Sequence, residues 1–222
     1  MRDLTGWNGA LPPAPVTLCG RYATLEPLDA NRHAAALWQA VEGHDELWAW
    51  LAEGPFATEA RFRAAVEKKQ TVPGFMFLAI VPAATGQAAG WACLMRADPP
   101  NGVVEVGNIL YSPTLKRTRE ATEAMYLMAR HVFDDLGYRR YEWKCNALNE
   151  PSRRAATRLG FTFEGIFRQH MVVKGRNRDT AWFSLLDSEW PARKRAFEAW
   201  LAPENFDEAG RQRRSLEEVS PH

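Results

Sequence analysis

Val103-Val104-Glu105-Val106-Gly107-Asn108-Ile109-Leu110-Tyr111-Ser112-Pro113-Thr114-Leu115-Lys116-Arg117-Thr118-Arg119 opens the part of the chain that decides the fold, which runs on to Phe161. It reads strand, basic loop, helix, strand, Asn-capped helix, Gly-Phe. The strand 103–111 is apolar and stops at Pro113, a residue that cannot donate to a ladder. The loop then sets Lys116, Arg117 and Arg119 at the start of a helix that begins near Glu120. The first helical N–H groups lack partners and carry partial positive charge. A basic turn feeding such a terminus is a place to hold phosphates. The bland alternative is a solvated basic turn, with Arg119 pairing with Glu123 one helical turn on.

Outward from this stretch the elements follow in order. Ala121, Met125, Met128, Val132 and Leu136 give helix 119–136 one apolar face, and Gly137 ends it. Arg140 to Cys145 alternates, with Tyr141, Trp143 and Cys145 on one side and Arg140, Glu142 and Lys144 on the other. Asn149-Glu150-Pro151-Ser152 opens the next helix: Asn149 suits the cap and Pro151 the first turn, where a missing N–H costs little. Upstream, residues 21–28 read as a first strand, and Asp29 caps a helix through Val41. Residues 44–70 read as short helices around Gly54-Pro55. Gly74–Val81 and Ala88–Arg96 form a hairpin. Downstream, Phe167–Val173 and Thr180–Leu186 form a second hairpin, and Trp190–Trp200 a closing helix. The pattern implies a mixed α/β sheet with helical crossovers.

The chain has 222 residues, 46% of them hydrophobic, and 28 basic against 27 acidic side chains for a net charge of +1. One domain over 18–200 is expected, with an irregular, Pro-rich arm at 1–17 and a charged, loose tail at 201–222. The balanced charge argues against a nucleic-acid surface. Cys19, Cys93 and Cys145 lie far apart, with no CxxC or Cys/His cluster, so neither a metal site nor a disulfide framework is expected. Free thiols, no apolar leader and no long apolar run together suggest a cytoplasmic protein away from the membrane. Of the nine tryptophans, most are expected in the core, with one or two left for an acceptor pocket.

Taken together, these motifs resemble the GNAT superfamily of N-acetyltransferases. Val104 to Pro113 is similar to its fourth strand. Ala121-Thr122-Glu123-Ala124 is similar to the helix start of the ribosomal-protein N-terminal acetyltransferase subgroup. Asn149-x-x-Ser152 with Leu159-Gly160-Phe161-Thr162-Phe163-Glu164-Gly165 looks like that subgroup's second CoA-binding segment. Arg178-Asp179, Phe183-Ser184-Leu185-Leu186 and Glu189-Trp190 look like its closing strand. The likeness covers residues 18–191. It implies a splayed mixed sheet of about seven strands flanked by helices, with acetyl-CoA lying between strands 103–111 and 140–146. It also implies a cofactor site made of Ile109, Leu110, Tyr111, Lys116, Arg117, Thr118, Arg119, Glu120, Ala121, Thr122, Asn149 and Ser152.

Two departures from the family pattern stand out. The pyrophosphate loop of the family reads Gln/Arg-x-x-Gly-x-Gly/Ala, and its slots here hold Thr114, Arg117 and Arg119. The tyrosine that many members carry in the second helix is replaced by Ala156, as in the ribosomal-protein subgroup. The implied reaction is attack of a primary amine (a protein N-terminus or a small-molecule amine) on the thioester in a ternary complex. An ammonium must first lose a proton. Glu105, opposite Val104 and Val106, is the first choice of base, with His170 and Asp179 behind it. An N–H near Ile109 suits the oxyanion, and such donors contribute about 3 kcal/mol. Ser152 is placed by the resemblance beside the leaving sulfur. The rival reading is a non-catalytic acyl-CoA-binding sensor or scaffold. A monomer or homodimer is expected.

Overall fold

The computed structural model describes residues 3–220; the outermost residues of the expected arm and tail, Met1-Arg2 and Pro221-His222, lie outside it. Eight strands form one mixed sheet: β1 (Leu18–Cys19), β2 (Ala23–Pro27), β3 (Phe75–Pro82), β4 (Gly90–Asp98), β5 (Val103–Tyr111), β6 (Arg140–Asn146), β7 (Thr162–Val173) and β8 (Arg176–Leu186). Their spatial order is β1-β2-β3-β4-β5-β6-β8-β7. Neighbours are antiparallel except β5 and β6, which run parallel around the crossover helix α3 (Arg119–Arg130). This is the expected mixed, splayed architecture. The extra strand is β1, whose two residues are too short to leave a periodic signal.

The strand alternation divides the core in two. On one face α3, α4 (Glu150–Arg158) and α5 (Trp190–Leu201) cover Leu25, Leu78, Leu94, Val104, Val106, Tyr141, Trp143 and Phe183. On the other face α1 (Ala30–Val41) and α2 (Glu59–Gln70) cover Phe77, Ala79, Trp91, Cys93 and Met95. These two helices lie over β3 and β4. The same face of β5, β6 and β8 carries Glu105, Glu142, Lys144, Trp182 and Ser184 instead of an apolar stripe. The α1–α2 layer therefore stops at β4, and beyond it the same sheet face is polar.

Several boundaries differ from the sequence reading. Residues 44–70 hold one tight turn at Asp45–Trp48 and a single long helix, α2, capped by Thr58 Oγ1 receiving Arg61 N. The long helix read over 119–136 is α-helical to Arg130, then widens at His131–Asp135, where Leu136 N donates to His131 O. The second hairpin is longer, with β7 starting at Thr162 rather than Phe167. The described part of the tail packs back on the domain: Leu216 is fully buried and Phe206 sits edge-on to Trp200 at 5.1 Å. The charged composition concealed these two anchors. Most of the early tryptophans are structural; Trp48 and Trp91 are buried together, and Trp50 is exposed.

Candidate active site

The pairing of β5 with β6 stops at Val106–Trp143, although β5 continues to Tyr111 and β6 to Asn146. The cause is local. Opposite β4, the register slips between Cys93–Gly107 and Trp91–Leu110, so Asn108 and Ile109 together face Ala92. Such a bulge bends its strand and increases its twist. Asn108 takes the left-handed φ of 49° that the bulge requires, a conformation asparagine tolerates better than most residues. Its amide donates to Met95 Sδ at 3.4 Å. The edge of β5 over Gly107–Tyr111 therefore turns away from β6. That leaves main-chain groups that an extended ligand can satisfy. Ile109 and Tyr111 lean on the α3 side and Leu110 on the α1–α2 side.

At the end of β5 the chain turns into α3. Ser112 is buried, and its carbonyl receives the N–H groups of Leu115 and Lys116. Thr118 caps α3 through Oγ1, which receives Ala121 N, while Thr118 O receives Thr122 N. Among the described residues the N–H groups of Arg117 and Thr118 make no hydrogen bond of good geometry, although the turn over Lys116–Arg117 aims that of Thr118 loosely at a preceding carbonyl. With the free first-turn N–H groups of Arg119 and Glu120 they form a row of donors at the positive end of a helix. Arg117, in the slot where the family has glycine, has φ 63°, the left-handed conformation that glycine adopts freely. Lys116 and Arg117 are exposed. Arg119 faces away, its guanidinium 4.4 Å from the Tyr22 ring and 5.4 Å from that of Phe206. It does not pair with Glu123. That carboxylate is buried and receives the N–H groups of Arg21, Tyr22 and Ala23 at 2.8, 2.6 and 2.7 Å. Thr122 Oγ1 receives Arg158 Nη1.

Across the gap, Asn149 caps α4 by accepting Ser152 N at 3.2 Å. Ser152 Oγ accepts from the Trp143 indole at 3.0 Å, so its own proton remains to be donated. Burial pushes the Cys145 thiol up, and a hydrogen bond from Ser152 offsets part of that. Ala156 is fully buried, so a tyrosine is not accommodated there without repacking.

On the polar face the charges alternate across the strands. Glu105 Oε2 binds Arg96 Nη1 at 2.7 Å and Lys144 Nζ at 3.1 Å. Lys144 also binds Glu142 at 2.7 Å, and Arg140 joins Glu142 at 2.7 Å to Glu164 at 2.8 Å. Glu105 is only 2% exposed. Both cations take Oε2; Oε1 belongs to neither pair. A Cβ on Gly107 would collide with the Met95 methyl and lie 3.1 Å from Glu105 Oε1, so glycine here lets the Met95 side chain pack beside that carboxylate. The β7–β8 hairpin arches toward this face, and Lys174 at its tip donates to Trp48 O at 2.9 Å. His170 Nδ1 meets Thr180 Oγ1 at 3.0 Å. Asp179 receives Gln169 N and Asn177 Nδ2, which hold its carboxyl below the usual range and tie it to the hairpin.

The sequence reading named Glu105, Ser152 and the loop but missed Arg96, Lys144, Arg178 and Trp182. The alternation of strand 140–145 placed Arg140, Glu142 and Lys144 on one side without showing that Glu142 and Lys144 are buried and ion-paired there. The usable signal was Gly107-Asn108 in mid-strand, since such residues mark bulges.

A sheet that parts beside a donor-lined helix start, next to a buried carboxylate, defines the acyltransferase scaffold of the GNAT type. The model of the GNAT acetyltransferase domain matches residues 23–162. A GCN5-related N-acetyltransferase from Brucella melitensis superposes with a TM-score of 0.95 at 52% identity, over 97% of this chain and 99% of that one. A GNAT-family structure from Chromobacterium violaceum gives 0.81 at 41% identity, over 86% and 96%. A Bacillus subtilis protein named ribosomal N-acetyltransferase YdaF is 25% identical over 173 residues, 77% of this chain and 92% of YdaF. The chain belongs to the GNAT acetyltransferase family.

Proposed function

We propose that the protein transfers an acetyl group from acetyl-CoA to a primary amine in a ternary complex. The acceptor is a protein N-terminus or a small molecule; the name of YdaF makes a ribosomal protein one instance. The observation that carries this reading is the end of β5–β6 pairing at Val106–Trp143. The residues present fit the cosubstrate: an unpaired strand edge suits its amides, and the row of N–H groups at 117–120 suits its phosphates.

Acetyl-CoA supplies the acetyl group as a thioester. The protein's own groups do the rest. Ile109, Leu110 and Tyr111 hold the amide arm through their main chain. Lys116, Arg117, Thr118, Arg119 and Glu120, with Ala121 and Thr122 behind them, form the phosphate end. Asn149 fixes the start of α4, and Ser152 presents its hydroxyl to the leaving sulfur. Arg96 and Lys144 clamp Glu105 Oε2 and leave Oε1 to take the proton that the amine must lose. The reading is tested by titrating CoA calorimetrically and by following thiol release from acetyl-CoA with a panel of amines. Binding with turnover on at least one amine is expected. Binding with no turnover on any amine would favour a sensor or scaffold instead, and no binding would remove the site.

A further inference from the structure

The charge ladder on the polar face balances without Arg178. Arg96, Lys144 and Arg140 alternate with Glu105, Glu142 and Glu164. Arg178 lies on the same face of β8 as Thr180 and Trp182, just beyond the end of β6, where Asn146 pairs with Thr180. Among the described residues no carboxylate pairs with it, and its Nε is buried without an acceptor. The adjacent Asp179 is committed to Gln169 N and Asn177. Trp182 repeats the pattern: its Nε1 is buried without an acceptor, while Lys144 Nζ sits 3.8 Å from its ring centroid. Lys144 in turn joins this ring to Glu105. A buried donor without a partner is costly, and more so when it is charged. Two such donors on one face of β8, separated by Thr180 and one of them a surplus cation, await an anionic oxygen ligand.

We infer that the acceptor amine carries a carboxylate, bound by Arg178 and Trp182 while the amine meets Glu105. This rests on the acetyl-transfer reading and narrows its substrate. The surplus charge favours acidic acceptors over polyamines and cationic antibiotics, which the same guanidinium would repel. The carboxylate can come from a free amino acid or from the first side chain of a peptide.

The test compares matched acceptors. Phenylalanine is set against phenethylamine, which lacks only the carboxylate. A tetrapeptide beginning with Glu is set against one beginning with Gln. Thiol release gives kcat/KM, and calorimetry on the CoA-loaded protein gives acceptor affinity. In at least one pair the carboxylate form should be favoured about tenfold or more; which pair responds identifies the source. Arg178→Gln should erase that preference through KM and leave CoA affinity unchanged, and Arg178→Lys should restore part of it. Equal affinity and kcat/KM within both pairs, or no carboxylate binding beside normal CoA binding, overturns the inference and leaves acetyl transfer standing. A fall of both members of a pair together in Arg178→Gln also overturns it. Loss of CoA binding in the wild type would overturn the parent reading as well.

Discussion

Glu105 combines two jobs that mutation can separate. Its Oε2 neutralises Arg96 and Lys144, and its Oε1 is the group proposed to take a proton. Glu105→Gln keeps the volume and removes the charge. Turnover should fall about a hundredfold, the ordinary contribution of a general base, with CoA affinity unchanged. Because two cations lose their partner, stability should also drop by about 3 kcal/mol, so rates must be scaled to the folded fraction by near-UV dichroism. Full turnover would take Glu105 out of the base role. Ser152→Ala is milder. Thiolate is a tolerable leaving group, so turnover should fall less than in Glu105→Gln. The Trp143 indole loses its acceptor, which costs about 1–2 kcal/mol in urea unfolding. A larger kinetic loss than Glu105→Gln would make Ser152 the principal proton donor.

At the scale of elements, the loop before α3 assigns different tasks to two arginines that look equivalent in sequence. Arg119 packs on Tyr22 and Phe206, so Arg119→Ala should cost about 1 kcal/mol of stability. Arg117 occupies a left-handed position, and Arg117→Gly removes about 1 kcal/mol of strain, less the added chain entropy of glycine. It should leave stability equal or higher while weakening CoA binding severalfold, with a shallower salt dependence by calorimetry. Unchanged affinity would mean that the main chain alone holds the phosphates. Asn149→Ala should weaken CoA binding too, by loosening the start of α4. These elements were legible because each carries its own chemistry: Thr118 and Asn149 as caps, Pro113 as a stop, Val103–Tyr111 as an apolar strand with bounds that match the structure. The gap itself was not legible from the residues, because it depends on a two-against-one register with β4 that only the paired strand reveals. Likewise Arg140, Glu142 and Lys144 alternate like a solvent face, yet they pair with Glu105 and Glu164, residues far away in sequence. Arg178 stood out only as part of the closing-strand motif and Trp182 not at all, since a missing partner is a property of the fold.

For the whole molecule, the two apolar layers bury groups that must stay protonated. Burial pushes the Cys93 thiol from 9.0 to about 12. It does the same to the Tyr126 phenol, helped by a hydrogen bond with Glu198, and to Tyr138, both from 10.0 to about 12. The folded state therefore holds these protons longer than the unfolded chain. Their stabilising share is full below pH 9 and is lost as pH rises toward 12, at about 1.4 kcal/mol per pH unit for each group engaged. Lys69 acts in the opposite sense, since burial lowers its ammonium to about 8, but the Glu53 carboxylate against it limits that effect. Three groups outweigh one, so urea unfolding should show a loss of a few kcal/mol between pH 9 and 11. The decline should begin with the two buried thiols, Cys93 and Cys145, whose ordinary value is lowest, and Cys93→Ala should make the segment from pH 9 to 10 shallower. A flat stability from pH 8.5 to 11, or an identical slope in Cys93→Ala, would show that the core admits water to these groups and that the layers around β4 and α3 are looser than their packing indicates.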